Sequence, residues 1–173
     1  MYAKYLVKAV SEISDADIAK IANLLLDCKD RGGKVLLAGN GGASAICSHF
    51  TNDLIKCLGI AAVCLTDNIP SLTAYANDNS YDVALGEIAN VLVRKNDMIF
   101  SMSTSGNSLN VLYLAFKFKL PSVALVGNKG GDMAKWHKHV TYVYAKGFDA
   151  RSNEDVFSII CHAVVDYITR NPR

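Results

Sequence analysis

The sequence predicts an α/β protein, a three-layer sandwich in which a parallel sheet lies between two layers of helices. Three observations predict it. Short apolar runs of strand length alternate with segments of helical spacing from Val35 onward, the order from which parallel sheets are wound. One of those runs, Ile60-Ala-Ala-Val-Cys-Leu-Thr66, is continuously apolar rather than alternating, as expected of a strand covered on both faces. The two loops richest in Gly, Ser and Asn follow the first and third strands, so both fall at the carboxyl edge of the sheet, where such folds bind ligands.

Taken in order, residues 1–33 read as helical. Ser14-Asp-Ala-Asp17 resembles a capping box with Asp in place of Glu, Ile18, Ile21, Ala22, Leu25 and Leu26 follow at helical spacing, and Gly32-Gly33 ends the run. Val35–Ala38 is the first strand. After Gly39-Asn40-Gly41-Gly42 a helix runs to about Cys57, and Ile60–Thr66 is the second strand. Pro70 suits the first turn of a helix, Asn77–Ser80 is a turn cluster, and Val83–Arg94 is helical. Asp97–Met102, Ser122–Gly127 and His139–Tyr144 are strands three to five. A helix through Val111, Leu112, Leu114, Ala115 and Phe118 separates the third strand from the fourth, and Asn128–Gly131 forms the loop after the fourth. The last helix starts at Asn153 or Glu154 and ends near Thr169. No repeat, linker or low-complexity tract interrupts the chain, which predicts one domain: a helical arm over 1–33 and an α/β core over 34–170.

Composition narrows the function classes. The 173 residues are 51% hydrophobic and 20% charged, with a net charge of +2, too small an excess to argue for a nucleic-acid or membrane surface. No apolar run approaches the roughly 20 residues that span a bilayer, and the N-terminus lacks the apolar region of a secretory signal. The five cysteines, Cys28, Cys47, Cys57, Cys64 and Cys161, form no Cys-x-x-Cys pair. Together these read as reduced core thiols in a cytoplasmic protein.

Two constellations carry chemistry. Ser103-Thr104-Ser105-Gly-Asn-Ser108 gathers four hydroxyls at the start of a helix, where free N–H groups and the positive end of the helix dipole attract phosphate. No Gly-Lys-[Ser/Thr] follows it and the Gly39 loop is not Gly-x-Gly-x-x-Gly, so a nucleotide cofactor is not indicated. The second constellation is His49 and Asp53, four residues apart on one helix face, with Glu154, Ser158 and His162 at the same step on the last helix. Converging, His49, Asp53, Glu154 and His162 would make a mixed nitrogen and oxygen site suited to zinc, or would serve as acid and base without a metal. His137 and His139 read as surface or satisfied core residues.

Gly39-Asn-Gly-Gly42, His49-Phe50 with an acid at 53, Leu72-Thr-Ala-Tyr-Ala-Asn-Asp78 and Ser103-Thr-Ser-Gly-Asn-Ser108 with Asn110-Val111 resemble the phosphoheptose isomerases of the sugar isomerase (SIS) domain superfamily. The likeness runs from about Lys34 to Ile168. It implies a five-stranded, flavodoxin-like SIS domain, a homotetramer (or homodimer) with sites at subunit interfaces, and interconversion of sedoheptulose 7-phosphate with D-glycero-D-manno-heptose 7-phosphate for ADP-heptose and glycan synthesis. By position it implies Asp53 as base and His162 as acid, and one zinc per subunit on His49, Asp53, Glu154 and His162. It also implies substrate contacts from Asn40, Gly41, Gly42, Asp78, Ser103, Thr104, Ser105 and Ser108. The chain departs from the family pattern in several places. Asp53 replaces a Glu and is one methylene shorter, Glu154 replaces a Gln, Ala43 stands where a Ser is usual, Phe157 replaces a His, and Arg151 stands where an acid is common. The Leu54–Gly59 segment and the N-terminal arm are short. Alternatives to this activity are an isomerase of another sugar phosphate and a non-catalytic phosphosugar-binding regulator.

Overall fold

The computed structural model describes residues 2–127, 129–135 and 140–172. The predicted Asn128, His137 and His139 assignments lie outside them. In chain order the elements are α1 (Tyr2–Ser11), α2 (Asp15–Asp30), β1 (Val35–Ala38), α3 (Gly42–Leu58), β2 (Ala62–Cys64), α4 (Ile69–Asp78), α5 (Tyr81–Leu92), β3 (Met98–Ser103), α6 (Leu109–Lys117), β4 (Ser122–Gly127), β5 (Val140–Ala145) and α7 (Ala150–Arg170). The strands form one parallel sheet in the order β2-β1-β3-β4-β5.

The side-chain alternation of the strands assigns each residue to one of two cores. Val35, Leu37, Met98, Phe100, Val123 and Leu125 face α2, α3 and α7. Leu36, Ala38, Ile99, Ala124 and Val126 face α5 and α6. Phe50 of α3 and Phe100 of β3 meet edge to face with ring centroids 5.2 Å apart, and both are fully buried. The described part of the N-terminal arm, residues 2–33, holds two helices, α1 and α2, rather than one run. The break falls before Ser14, whose hydroxyl accepts from the Asp17 amide at 3.3 Å. Ile21, Ala22 and Leu25 of α2 are fully buried, so this segment packs into the same core as α3 and α7.

Three expected boundaries moved. The second strand is only Ala62–Cys64 and gives way to a 3₁₀ turn at Leu65–Asp67. It is an edge strand, so its first two residues are only partly covered. Asn77 and Asp78 belong to α4 instead of the turn. The last helix starts at Ala150, before the expected residue, because Asp149 caps it. The Asp149 carboxylate accepts from the Ser152 amide at 2.8 Å, and the Ser152 hydroxyl accepts from the Asp149 amide at 2.9 Å.

At the N-terminal edge of the sheet, buried Asp97 ties β1 to β3. Its Oδ1 accepts from the Lys34 amide at 2.9 Å, while its Oδ2 accepts from Lys34 Nζ at 2.5 Å and the Arg94 amide at 2.7 Å. Among the described residues no helix is long and apolar enough to cross a membrane. Cys28, Cys47, Cys64 and Cys161 are buried free thiols, while Cys57 is exposed and is not part of the core.

Candidate functional site

The strand order reverses between β1 and β3, since β1 is followed outward by β2 and β3 by β4. At such a switch point the two loops diverge to opposite faces and leave a crevice at the carboxyl ends of the strands. Here those loops are Gly39–Gly41 and Thr104–Ser108. Gly41 has φ 55°, a left-handed conformation that an L side chain would strain. Neither Gly41 before α3 nor Ser108 before α6 makes a side-chain cap hydrogen bond. Helix N–H groups at both starts are therefore uncapped by these residues, which suits an anionic ligand.

The Ser103–Ser108 loop is braced by its own hydroxyls. Ser103 Oγ accepts from the Gly106 amide at 3.1 Å and lies 3.1 Å from Ser108 Oγ, and Ser105 Oγ accepts from the Asn107 amide at 3.1 Å. Gly106 has φ 67°, and a Cβ there would come within 2.1 Å of the Gly130 carbonyl oxygen. Asn107 Oδ1 accepts from the Asp132 amide at 2.7 Å, fastening this loop to the one after β4. A cleft of about 460 Å³ opens beside it, lined by Thr104, Ser105, Lys129, Phe148 and Asn153 among others.

The second constellation lies on the α3–α7 layer. The buried stripe of α3 is Ala43, Cys47, Phe50, Leu54 and Leu58. His49 and Asp53 each precede a member of that stripe by one residue, so they sit about 100° around the helix from it. His162 follows buried Cys161 by one residue on α7. These flanks meet. His49 Nε2 and His162 Nε2 are 3.0 Å apart, and the rings cross at 89°. Asp53 Oδ2 lies 3.4 Å from His49 Nε2 and 3.9 Å from His162 Nε2. Asp53 Oδ1 accepts from Asn52 Nδ2 at 3.2 Å. The Asp53 side chain is 14% exposed, whereas the two imidazoles are 54% and 55% exposed. Burial, and secondarily the Asp53 charge, push the Cys161 thiol up, so this neighbour stays a protonated core thiol.

The group passes a geometric test for zinc. Ligands 2.0–2.2 Å from a tetrahedral ion stand about 3.3–3.6 Å from one another. The observed separations of 3.0, 3.4 and 3.9 Å bracket that edge, and all three ligand atoms lie within 4.8 Å of one another. Three protein donors leave a fourth position open for a reactant.

Glu154, expected as a fourth ligand, is not brought into this group. It lies two helical turns before His162 on α7, about 12 Å along the axis. Its carboxylate packs on Gly42 instead, and a Cβ at that position would come within 2.4 Å of Glu154 Oε2. Asp78 ends α4 exposed and accepts from Asn77 Nδ2 at 3.0 Å. Among the described residues it makes no hydrogen bond or ion pair to either constellation. Asn40, expected to line the crevice, is tied to Asn110 and Tyr81. Tyr81 has no place in the sequence-based expectations, and Asn110 enters them only through the Asn110-Val111 motif of the resemblance. A buried Asn inside the apolar Leu109–Leu112 stretch was the signal for Asn110.

Comparison with known proteins agrees with this geometry. The SIS domain family profile matches residues 1–127. The phosphoheptose isomerase of Chlorobium limicola is 31% identical, over 98% of this chain and 84% of its own length. That of Campylobacter jejuni serotype O:6 is 32% identical over 91% and 88%. The solved phosphoheptose isomerase from Neisseria gonorrhoeae superposes with a TM-score of 0.90 at 28% identity, covering 98% of this chain and 95% of that one. The Francisella tularensis phosphoheptose isomerase shares the fold, with a TM-score of 0.88 at 23% identity. The chain belongs to the phosphoheptose isomerase family of SIS-domain proteins.

Proposed function

We propose that the chain is an aldose–ketose isomerase that converts sedoheptulose 7-phosphate to D-glycero-D-manno-heptose 7-phosphate. The observation that carries the reading is the meeting of His49, Asp53 and His162 on helices whose N-termini reach the switch-point edge. A phosphate at the Ser103–Ser108 loop fixes the far end of the sugar, so the reacting carbons are held at a set distance from it. Asp53 removes a proton from C1 of the ketose, next to the carbonyl, and returns it to C2. His162 delivers a proton to the C2 oxygen and takes one from the C1 oxygen as the enediol forms and collapses. His49, Asp53 and His162 are the residues that would hold zinc, and a zinc held there would supply Lewis-acid polarisation of the substrate oxygens in place of proton transfer by His162, whose Nε2 it would occupy.

His49 is seven residues beyond Gly42, about 10 Å down α3 from the crevice. That distance and the half-exposed imidazoles support a homo-oligomer, tetramer or dimer, in which a second copy closes the reaction centre. Ile69 at 64% exposure and Leu109 at 58% are apolar surface suited to such a contact.

The test is direct. Purified protein is incubated with sedoheptulose 7-phosphate, with and without zinc, and the aldose is followed by NMR. Appearance of the aldose is expected. Binding of the sugar phosphate with no turnover under any metal condition would overturn the reading, and turnover of a different sugar phosphate alone would reassign the substrate.

A further inference from the structure

We propose that Asn110 and Tyr81 are positioning residues that lock the side-chain amide of Asn40, so that it offers the crevice one N–H donor and no acceptor. The backbone amide of Val111 has a fixed polarity. It donates to Asn110 Oδ1 at 3.0 Å. A backbone N–H can only donate, so the atom facing it is the Asn110 oxygen. Asn110 Nδ2 must then point the other way, and it donates to Asn40 Oδ1 at 2.8 Å. Asn40 Nδ2 in turn donates to Asn110 Oδ1 at 2.9 Å. Tyr81 OH completes the set by donating to Asn40 Oδ1 at 2.9 Å.

Counting donors and acceptors gives the consequence. Asn40 Oδ1 has two lone pairs, and both are engaged. Asn40 Nδ2 has two hydrogens, and one is engaged. What remains is a single N–H. The Val111 N–H is shared with the Ser108 carbonyl at 3.1 Å, so flipping the Asn110 amide would not orphan it but would set the Asn110 NH₂ against it, donor against donor, at a side chain only 2% exposed. The orientation is therefore passed from the start of α6 to the loop after β1. Tyr81, the first residue of α5, takes up the second lone pair of Asn40 Oδ1 from a third element. An amide held this way selects an oxygen acceptor, such as a phosphate or carbonyl oxygen, and disfavours a hydroxyl that must donate.

The inference deepens the proposed function and rests on Asn40 lining the sugar-phosphate site. Its test is a double-mutant cycle read as KM and kcat for sedoheptulose 7-phosphate, with Kd from calorimetry in parallel. Asn40→Ala is expected to raise KM about tenfold, the worth of one hydrogen bond to a charged group. Asn110→Ala and Tyr81→Phe should each raise KM severalfold in the native background and less than twofold in the Asn40→Ala background. A purely structural role would lower the active fraction, and so kcat, without moving KM. Equal multiplication of KM in both backgrounds would overturn the proposal, as would an unchanged KM in Tyr81→Phe, an exposed site where only a hydroxyl is lost. If the native protein binds the sugar phosphate without turning it over, the isomerase reading fails while the Kd cycle still decides the positioning. A further readout needs no substrate. In ¹⁵N NMR the separation of the two Asn40 side-chain protons should exceed that of a free amide in the native protein and shrink toward it in Asn110→Ala, which removes the acceptor of one of them. No change in their separation counts against the lock.

Discussion

Replacing Asp53 by Asn is the sharpest test of the site. The substitution keeps the shape and the contact with Asn52 but removes the charge and the capacity to accept a proton. Its Oδ2 stands 3.4 and 3.9 Å from two imidazole nitrogens. Loss of a positioned base costs about 10²–10⁴ in rate, which is roughly 3–5 kcal/mol of barrier. Asp53→Asn should therefore lower kcat by at least about a hundredfold, while thermal unfolding stays close to that of the native protein because no buried group loses a partner. The assay is turnover of sedoheptulose 7-phosphate by NMR at matched zinc, with a melting curve on the same sample. A folded variant with kcat within threefold of the native value would refute the role given to Asp53.

Other substitutions probe the scaffold. Asp97→Ala leaves two backbone amides and the Lys34 ammonium without their shared acceptor. It should destabilise by roughly 3–5 kcal/mol and lower Tm by about 10 °C, and a calorimetric shift under about 2 °C would contradict the assignment. Gly127→Ala and Gly42→Ala should differ. At 127 the new Cβ meets the Thr104 carbonyl oxygen at 2.0 Å, whereas at 42 it meets the movable Glu154 carboxylate at 2.4 Å. The first should cost about 1–3 kcal/mol in denaturant unfolding and the second under about 1 kcal/mol, so equal costs would be inconsistent with this packing. The Asp149 carboxyl is held below its ordinary value of 3.8, first by the Ser152 backbone amide and then by the Ser152 hydroxyl. A depressed carboxylate supports the start of α7 above the ordinary aspartate range and loses that support as pH falls through its folded value. The protection of the Ser152 amide, its exchange relative to the intrinsic rate at the same pH, should therefore fall below about pH 4 in the native protein. In Asp149→Ala protection should be low at every pH, and a pH-independent protection in the native protein would count against the cap.

The order and type of most elements were legible because they rest on local patterns. The apolar runs of β1, β3 and β4 and the glycine break before α3 each report on a few consecutive residues. Ser122–Gly127 was placed to the residue because Pro121 and Gly127 delimit it. The start of α7 was misplaced although Asp149-x-x-Ser152 is itself a local capping signal, one masked by the irregular composition around it. The second strand was overextended because apolar composition does not distinguish a central strand from an edge strand, a property of the assembled sheet.

The sequence by itself determined that Asn40, His49, Asp53 and the Ser103–Ser108 loop belong to the carboxyl edge and the helix beyond it. Winding a parallel sheet sends every strand-to-helix loop to the same edge, and a four-residue step keeps two side chains on one helix face. Only the tertiary structure decided which partners they meet. His162 joins His49 across 113 positions of sequence, because the axial register of α3 against α7 follows from how Phe50, Phe157 and their neighbours interlock in a shared core. The same register carries Glu154 to Gly42 instead of to the histidines. It is the strand order at the switch point that brings Asn110 to Asn40. Helix periodicity acts within a few turns, whereas these pairings depend on the packing of elements far apart in the chain.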